Sequence, residues 1–159
     1  MSAASVPWVR AAAVTAVVVS LDQATKALVR ASLAVGSEDG VLPGIQLVHV
    51  RNDGVAFGAF AGGGAVVAAV IGVALMALLA YFATHRGRPL VWLPTGMLLG
   101  GAVGNIVDRV RLGAVTDFIK LPAWPAFNVA DMAITFGVIV LLYVIESRPA
   151  RRDGTAREA

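Results

Sequence analysis

The chain has 159 residues, of which 58% are hydrophobic and only 14% are charged. Soluble domains are usually about 45–50% apolar and about 25% charged, and disordered chains are richer still in charge, so this composition excludes both classes. There is no cysteine, and the net charge of +3 is spread without a dense basic block, so neither disulfides nor a nucleic-acid partner is expected. The sequence predicts a single integral membrane domain.

Four stretches are long and apolar enough to cross a bilayer, which takes roughly 20 residues per helix. The first contains only two charged residues, Asp22 and Lys26, and the second follows the glycine run at 62–64. We expect an all-α membrane protein with helices at about 9–31, 65–84, 89–108 and 128–147. These helices form one four-helix domain over residues 1–149, and the polar residues 150–159 are expected to be a disordered tail.

The first stretch has an alternative interpretation as a cleaved signal peptide, because residues 11–21 have the length of an apolar h-region. Only one basic residue, Arg10, precedes this run. The run leads into Asp22-Gln23 where a small-residue cleavage site would stand. We therefore expect the segment to be retained as a helix.

The sidedness of the chain follows from its short second turn. An even number of spans leaves both termini on one side, and Arg86 and Arg88 lie in the turn on that side together with the basic tail. Positively charged loops stay in the cytoplasm, so the termini are expected to be cytoplasmic. The two long loops, at about 34–64 and 109–127, are then extracytoplasmic.

These long loops carry strand patterns. Residues 45–51 alternate apolar and polar side chains, and residues 114–119 are rich in β-branched and aromatic types. A small extracytoplasmic β-sheet is expected there. The glycine-rich loop at 55–64 could be a mobile flap on the periplasmic side.

Four acids require an explanation, because ionisable residues in or beside membrane spans are functional candidates. Odd spans leave the cytoplasm and even spans return to it, so all four fall near the outer membrane surface, and they share one surface whichever way the chain inserts. The acids are Asp22, Asp108, Asp117 and Asp131, and the polar residues at the same level are Asn52, Asn105, Arg109 and Asn128.

Several of these residues also have purely structural interpretations. Asp22 and Lys26 are four residues apart with the acid first, which favours an ion pair on one helix face. Asn128 and Asp131 have the spacing of a helix N-cap and its third residue. Asn52 and Gly54 flank Asp53 in a sequence typical of a turn.

The third span allows structural interpretations as well. Gly96, Gly100 and Gly104 have the spacing at which small residues let membrane helices pack closely. Asn105, Asp108 and Arg109 could form a polar cluster that secures the end of that helix.

The residue inventory narrows the possible chemistry. His49 and His85 fall on opposite sides of the membrane, so they cannot share a metal. A dyad of Lys26 with Ser20 or Ser32 stays open but has no further support. Carboxylates are abundant at the outer surface, and two that approach closely share one proton, so that one can act as base and the other as acid. Asp117 on its loop and Asp131 on its helix are the expected pair.

Five motifs, in order, resemble one known family. They are Asp22-Gln23-Ala24-Thr25-Lys26, Asn52-Asp53-Gly54-Val55-Ala56-Phe57, Gly100-Gly101-Ala102-Val103-Gly104-Asn105-Ile106-Val107-Asp108-Arg109, Gly113-Ala114-Val115-Thr116-Asp117-Phe118 and Phe127-Asn128-Val129-Ala130-Asp131. From about Asp22 to Ile134 the chain resembles the lipoprotein signal peptidases (signal peptidase II), which are four-helix aspartic endopeptidases of bacterial membranes.

The resemblance implies an enzyme of the bacterial inner (cytoplasmic) membrane that cuts a prolipoprotein before its diacylglyceryl-modified cysteine. It implies Asp117 and Asp131 as the catalytic residues and no metal or organic cofactor. Membrane lipid is the expected second partner, and a monomer is expected. The residues that it implies as site-shaping or substrate-binding are Asp22, Lys26, Asn52, Gly54, Asn105, Asp108, Arg109 and Asn128. A proton- or cation-coupled transporter subunit and a non-catalytic lipid-binding scaffold are the alternative functions.

Overall fold

The structure is a computed structural model that describes residues 4–53 and 64–147, apart from the side chains of residues 64–68. Its elements in chain order are α1 (Val6–Ser32), β1 (Glu38–Leu42), β2 (Ile45–Asn52), α2 (Gly64–His85), α3 (Trp92–Leu112), β3 (Val115–Lys120) and α4 (Val129–Glu146). The protein is therefore mostly helical with a small sheet, as predicted. The predicted flap, except for Gly64, and the predicted tail lie outside the described residues.

Two of the described helices, α1 and α4, are by themselves long and apolar enough to cross a membrane. Helix α3 has 21 residues, but it is rich in glycine and carries Asn105, Asp108 and Arg109 near its end, which lowers its hydropathy. In α2 the described side chains begin at Ala69 and leave a stretch shorter than a full span. The count of four spans therefore stays a prediction.

The limits of α3 differ from the predicted range 89–108. The helix starts at Trp92, because Leu90 has a φ of 63° and a left-handed residue cannot continue a helix. It ends at Leu112, where Gly113 adopts a φ of 78° and donates its N–H to the carbonyl of Arg109 over 3.0 Å. Asp108 consequently lies inside the helix, not at its end.

The sheet has three antiparallel strands with β2 in the centre. Strands β2 and β3 lie within one residue of the ranges that the alternation predicts. Strand β1 was missed, since its sequence, Glu-Asp-Gly-Val-Leu, shows no alternation and all five of its residues are exposed. An exposed edge strand has no buried face to impose a period of two on the sequence.

The sheet contacts the ends of three helices. Arg51 on β2 donates from Nη2 to the carbonyl of Leu112, at the end of α3, over 2.9 Å. Two residues earlier, His49 Nδ1 lies 2.9 Å from the carbonyl of Leu33, which follows α1. Phe127, just before α4, forms a bridge with Ile119 on β3. The end of α1, the end of α3 and the start of α4 thus meet under one small sheet.

Helices α1 and α3 approach each other along the stripe of Gly96, Gly100 and Gly104. A Cβ added at Gly100 would lie 2.6 Å from Cβ of Val18, and one at Gly104 would lie 2.5 Å from Oδ2 of Asp22. Side chains larger than hydrogen cannot fit at these distances, so the packing interpretation of the glycines is confirmed. At the other end of the bundle, the apolar core contains the buried residues Ala11, Phe82, Val91 and Val144.

Replacing Gly100 with alanine is expected to lower the free energy of unfolding by about 1–3 kcal/mol, because the new methyl group would force α1 and α3 apart. Gly72 is a matched control, since a Cβ added there in α2 meets nothing within 4 Å. Gly72→Ala should raise stability by about 0.5–1 kcal/mol through helix propensity alone. Denaturant unfolding in detergent micelles measures both, and equal effects of the two changes would contradict close packing at Gly100.

Candidate active site

The candidate site lies where the sheet meets the helix ends. Asp117 is the third residue of β3 and Asp131 is the third residue of α4. Asn52 comes from the end of β2 and Asn105 from the C-terminal part of α3. Four separate elements therefore supply the polar groups that the sequence places at one membrane surface.

Asp131 is held by the start of its own helix. The side chain of Asn128 accepts the N–H of Asp131 over 2.9 Å, and Oδ2 of Asp131 accepts the N–H of Asn128 over 3.2 Å. This reciprocal pair is a capping box. The capping interpretation is thus confirmed for both residues, and it orients the carboxylate as well as starting the helix.

Asn128 also connects the two acids. Its Nδ2 donates to Oδ1 of Asp117 over 2.6 Å and to Oδ1 of Asn105 over 3.2 Å. Asn105 in turn donates from Nδ2 to Oδ1 of Asp131 over 2.8 Å. Two amides therefore hold Asp117 and Asp131 in fixed orientations, and the fully buried Asn128 contacts both.

Asp117 is buried, with 2% of its surface exposed, and its pKa is raised from 3.8 to about 6, chiefly by this burial. The negative charge of Asp131 also raises the pKa. Hydrogen bonds from Asn52 and Asn128 and the charge of Lys26 lower the pKa in part. Asn52 makes its bond from Nδ2 to Oδ2 of Asp117 over 2.9 Å. Asp117 therefore retains a proton at a pH where an ordinary aspartate is ionised.

A buried ion cluster lies beside the two acids. Lys26 is fully buried, and its Nζ lies 2.8 Å from Oδ2 of Asp22 and 3.4 Å from Oδ2 of Asp108. Arg30 adds a second cation, with Nη1 at 3.8 Å from Oδ1 of Asp108. Two cations thus balance two carboxylates, which is the condition for keeping such groups in an apolar bundle.

Lys26 joins this cluster to the acids. Its Nζ donates to Oδ1 of Asn105 over 2.9 Å, and this leaves the amide nitrogen of Asn105 to donate to Asp131. Asp22 meanwhile accepts the N–H of Ala130 over 2.9 Å, at the first turn of α4. The Asp22–Lys26 pair is therefore an ion pair, as its spacing predicts, and it also contacts the residues that orient Asp131.

Three residues in the cluster, Arg30, Gln23 and Thr116, were not among the predicted site residues. Nε2 of Gln23 lies 3.1 Å from Oδ2 of Asp22, from the carbonyl oxygen of Gly104 and from Oδ1 of Asp108, so its two hydrogens are shared among three acceptors. Thr116 donates its backbone N–H to Oδ2 of Asp108 over 2.9 Å. Gln23 could have been found from its polar side chain within an apolar span. The donor of Thr116 is a backbone N–H, which every residue except proline has, so the sequence does not indicate it.

Eight of the predicted site residues belong to this connected network: Asp22, Lys26, Asn52, Asn105, Asp108, Asp117, Asn128 and Asp131. Arg109 donates to the carbonyl of Asn105 over 3.5 Å, while Asp108 forms its ion pairs with α1. Gly54 lies outside the described residues. The arrangement offers two neighbouring carboxylates, one buried with a pKa raised to about 6 and one half-buried, which suits acid–base chemistry on a substrate at the bundle end.

The fold and the site define a helical membrane protein with an acidic, hydrogen-bonded site at one end of its bundle. Residues 14–146 match a family model described as "Signal peptidase (SPase) II". The chain therefore belongs to the signal peptidase II family, whose members are hydrolases that process lipoproteins.

Relatives of similar length support this assignment. The lipoprotein signal peptidase of Moorella thermoacetica is 41% identical over 128 residues, which cover 79% of this chain and 85% of that protein. The lipoprotein signal peptidase of Symbiobacterium thermophilum is 40% identical over 152 residues, covering 91% and 96% of the two chains.

A solved structure is similar as well. A bacterial membrane enzyme determined by the in meso method at 2.3 Å resolution superposes with a TM-score of 0.79 and 29% sequence identity. The match covers 85% of this chain and 86% of that one. Fold and sequence therefore point to the same class, and both are consistent with a protein of the bacterial membrane.

Proposed function

We propose that this protein is an aspartic endopeptidase that removes the signal peptide from diacylglyceryl-modified prolipoproteins, cutting just before the lipidated cysteine. The observation that carries the proposal is the pairing of Asp117 and Asp131 through Asn128 at the end of the bundle. A lipid-anchored substrate presents its scissile bond at this level of the membrane. Family membership and the lipoprotein signal peptidases among the relatives support the substrate class.

The mechanism assigns one role to each acid. Asp131, ionised, removes a proton from a water molecule, whose oxygen attacks the scissile carbonyl carbon. Asp117, protonated, gives its proton to the carbonyl oxygen, so a neutral tetrahedral diol forms. Asp131 then passes its proton to the leaving amine while Asp117 recovers the proton from the diol, and the C–N bond breaks. The pair returns to its starting state, so the reaction consumes only water.

The remaining predicted residues shape the site in this proposal. Asn52, Asn105 and Asn128 orient the acids through hydrogen bonds. Asp22, Lys26 and Asp108 keep the helix ends in register by their buried ion pairs. Arg109 and Gly54 are proposed to contact substrate.

We also propose the placement of the chain in the membrane. Residues 1–149 form one domain with four transmembrane helices, the termini are cytoplasmic and the site is extracytoplasmic. The protein acts as a monomer on lipidated substrate in membrane lipid, without metal, organic cofactor or nucleic acid. The length and apolar character of α1 and α4 support the proposal that the chain crosses the membrane.

The purified protein in detergent is expected to cleave a diacylglyceryl-modified precursor and to leave the same precursor untouched when its cysteine is unmodified. Mass spectrometry of the products identifies the cut before the modified cysteine. Cleavage separates the enzyme from a transporter subunit or a lipid-binding scaffold, neither of which would break the peptide bond. Binding of the lipidated precursor without turnover would contradict the proposal.

A second expectation concerns pH. Activity should fall as the pH rises through about 6, because Asp117 then loses the proton that it donates. Since Asn52 lowers the pKa of Asp117, Asn52→Ala should move this falling limb of kcat/KM to higher pH. Gln46→Ala, an exposed position on the same strand, is the control and should leave the limb in place. If the falling limb of the pH profile stayed fixed or moved to lower pH in Asn52→Ala, this result would contradict Asp117 as the proton donor.

A further inference from the structure

Two loops lie side by side at the end of the sheet that is remote from the acids. The β1–β2 hairpin turns at residues 42–45, and the loop after β3 turns at residues 121–125. A Cβ added at Gly44 would lie 3.8 Å from Cγ of Pro122, so the two loops are neighbours. We name residues 41–45 and 121–125 together the distal lobe.

The distal lobe exposes large apolar side chains. Val41 is 59% exposed, Leu42 62% and Trp124 59%, and Ile45 is exposed as well. Every residue of β1 is exposed, so neither face of the hairpin end is covered within the described residues. Residues 40–48 and 121–130 contain no charged side chain. Clusters of this kind mark a contact surface.

The helix ends show how the sheet lies on the bundle. On β2, Arg51 contacts the end of α3, and His49 contacts Leu33, which follows α1. Ile119, which pairs with Leu47 of β2, forms the bridge with Phe127 before α4. These contacts follow one another at steps of two residues, over roughly 13 Å at about 3.3 Å per residue. Since all three helix ends lie at the same end of the bundle, the strands run across that end and not away from it.

The distal lobe therefore continues the sheet sideways beyond α4, over the region that lipid occupies around the bundle. Trp124 precedes the start of α4 by only five residues, and α4 itself exposes Phe136, Ile139 and Leu142 along its length. Only four residues separate Trp124 from α4, so the lipid around this helix lies close to the lobe. Tryptophan is enriched at this depth of a bilayer.

We propose that the distal lobe inserts into the interfacial layer of the outer membrane surface, where lipid headgroups and the upper acyl chains cover Val41, Leu42, Ile45 and Trp124. The lobe then fixes the depth and tilt of the sheet, and through β3 the height of Asp117 above the bilayer. The proposal rests on the membrane placement described above and not on the cleavage chemistry.

Collision accessibility of nitroxide labels tests the insertion without any substrate. The chain has no cysteine, so Leu42→Cys, Val41→Cys and Asp39→Cys each give one labelled site in otherwise unchanged protein. In phosphatidylcholine–phosphatidylglycerol vesicles, we expect the ratio of oxygen to nickel-complex collisions to be several-fold higher at positions 42 and 41 than at 39. Leu28→Cys, on the exposed face of α1, supplies the value for lipid contact. Equal ratios at 39, 41 and 42 would overturn the proposal.

The fluorescence of Trp124 tests the insertion independently, without any change in the hairpin. The other two tryptophans, Trp8 beside Phe82 and Trp92 beside Arg10, lie at the opposite end of the bundle and can be replaced with phenylalanine. Lipids brominated near the headgroup should then quench most of the remaining emission. Labels shielded from both oxygen and nickel, with Trp124 unquenched by bromine, would indicate that protein covers the lobe and would overturn insertion into lipid.

Discussion

Asp117→Asn and Asp131→Asn are each expected to lower kcat for cleavage of lipidated precursor by about 10³-fold, within the range that general acid–base catalysis supplies. Asparagine has nearly the shape of aspartate, so the bonds from Asn128 and Asn105 can persist while the exchangeable carboxyl proton is lost. The Kd for the lipidated precursor should stay near that of the wild type. Single-turnover cleavage and equilibrium binding of a labelled precursor separate the two effects.

The double variant Asp117→Asn/Asp131→Asn should be no slower than either single variant, because residues that act as one unit have non-additive effects. Asp39→Asn is a matched control, as Asp39 is an exposed aspartate on β1 outside the site. Asp108→Asn should retain measurable turnover, since Asp108 contacts Lys26, Arg30 and Thr116. Substantial turnover in either single variant, at normal binding, would remove the basis for a catalytic pair.

The second large effect is a loss of stability, which is expected when the buried ion cluster is altered. Asp22→Ala should lower the free energy of unfolding by about 3–5 kcal/mol, because it leaves the fully buried Lys26 with one carboxylate fewer. The change also removes the acceptor of the N–H of Ala130, which disturbs the first turn of α4. Denaturant unfolding in detergent measures the loss.

Two companion variants separate charge from hydrogen bonding. Asp22→Ala/Lys26→Ala should recover part of the lost stability, because no unpaired cation remains. Asp22→Asn preserves an acceptor for Ala130 but not the charge, so its stability should lie between those of the wild type and Asp22→Ala. If the double variant were less stable than Asp22→Ala, the stranded charge of Lys26 would not be the cause. A double variant that folds well but does not cleave would give Asp22 or Lys26 a direct role in the site.

Much of the site could be predicted because membrane spans alternate in direction. Parity alone places Asp22, Asp108, Asp117 and Asp131 at one surface, and the network confirms that the polar residues there meet. The capping motif at Asn128 and Asp131 and the glycine stripe of α3 were also recognisable, since each depends on local spacing.

Other features depend on contacts that a sequence does not display. Asp108 forms ion pairs with Lys26 and Arg30, residues about eighty positions earlier in the chain, which the local spacing of Asn105, Asp108 and Arg109 could not predict. The position of Asn105 between Lys26 and Asp131 depends on the crossing of α1, α3 and α4. The start of α3 was misplaced because Pro89 is compatible with a first helical turn, whereas the left-handed Leu90 delays it.

The capping box has a consequence for the temperature at which the protein would lose its activity. The bonds that close the first turn of α4 are also the bonds that aim Asp131, so the helix end and the carboxylate loosen in one step. Helix ends open locally at a lower free energy than whole domains unfold. Under the proposed mechanism, activity should therefore be lost at a lower temperature than the one at which the helical bundle unfolds.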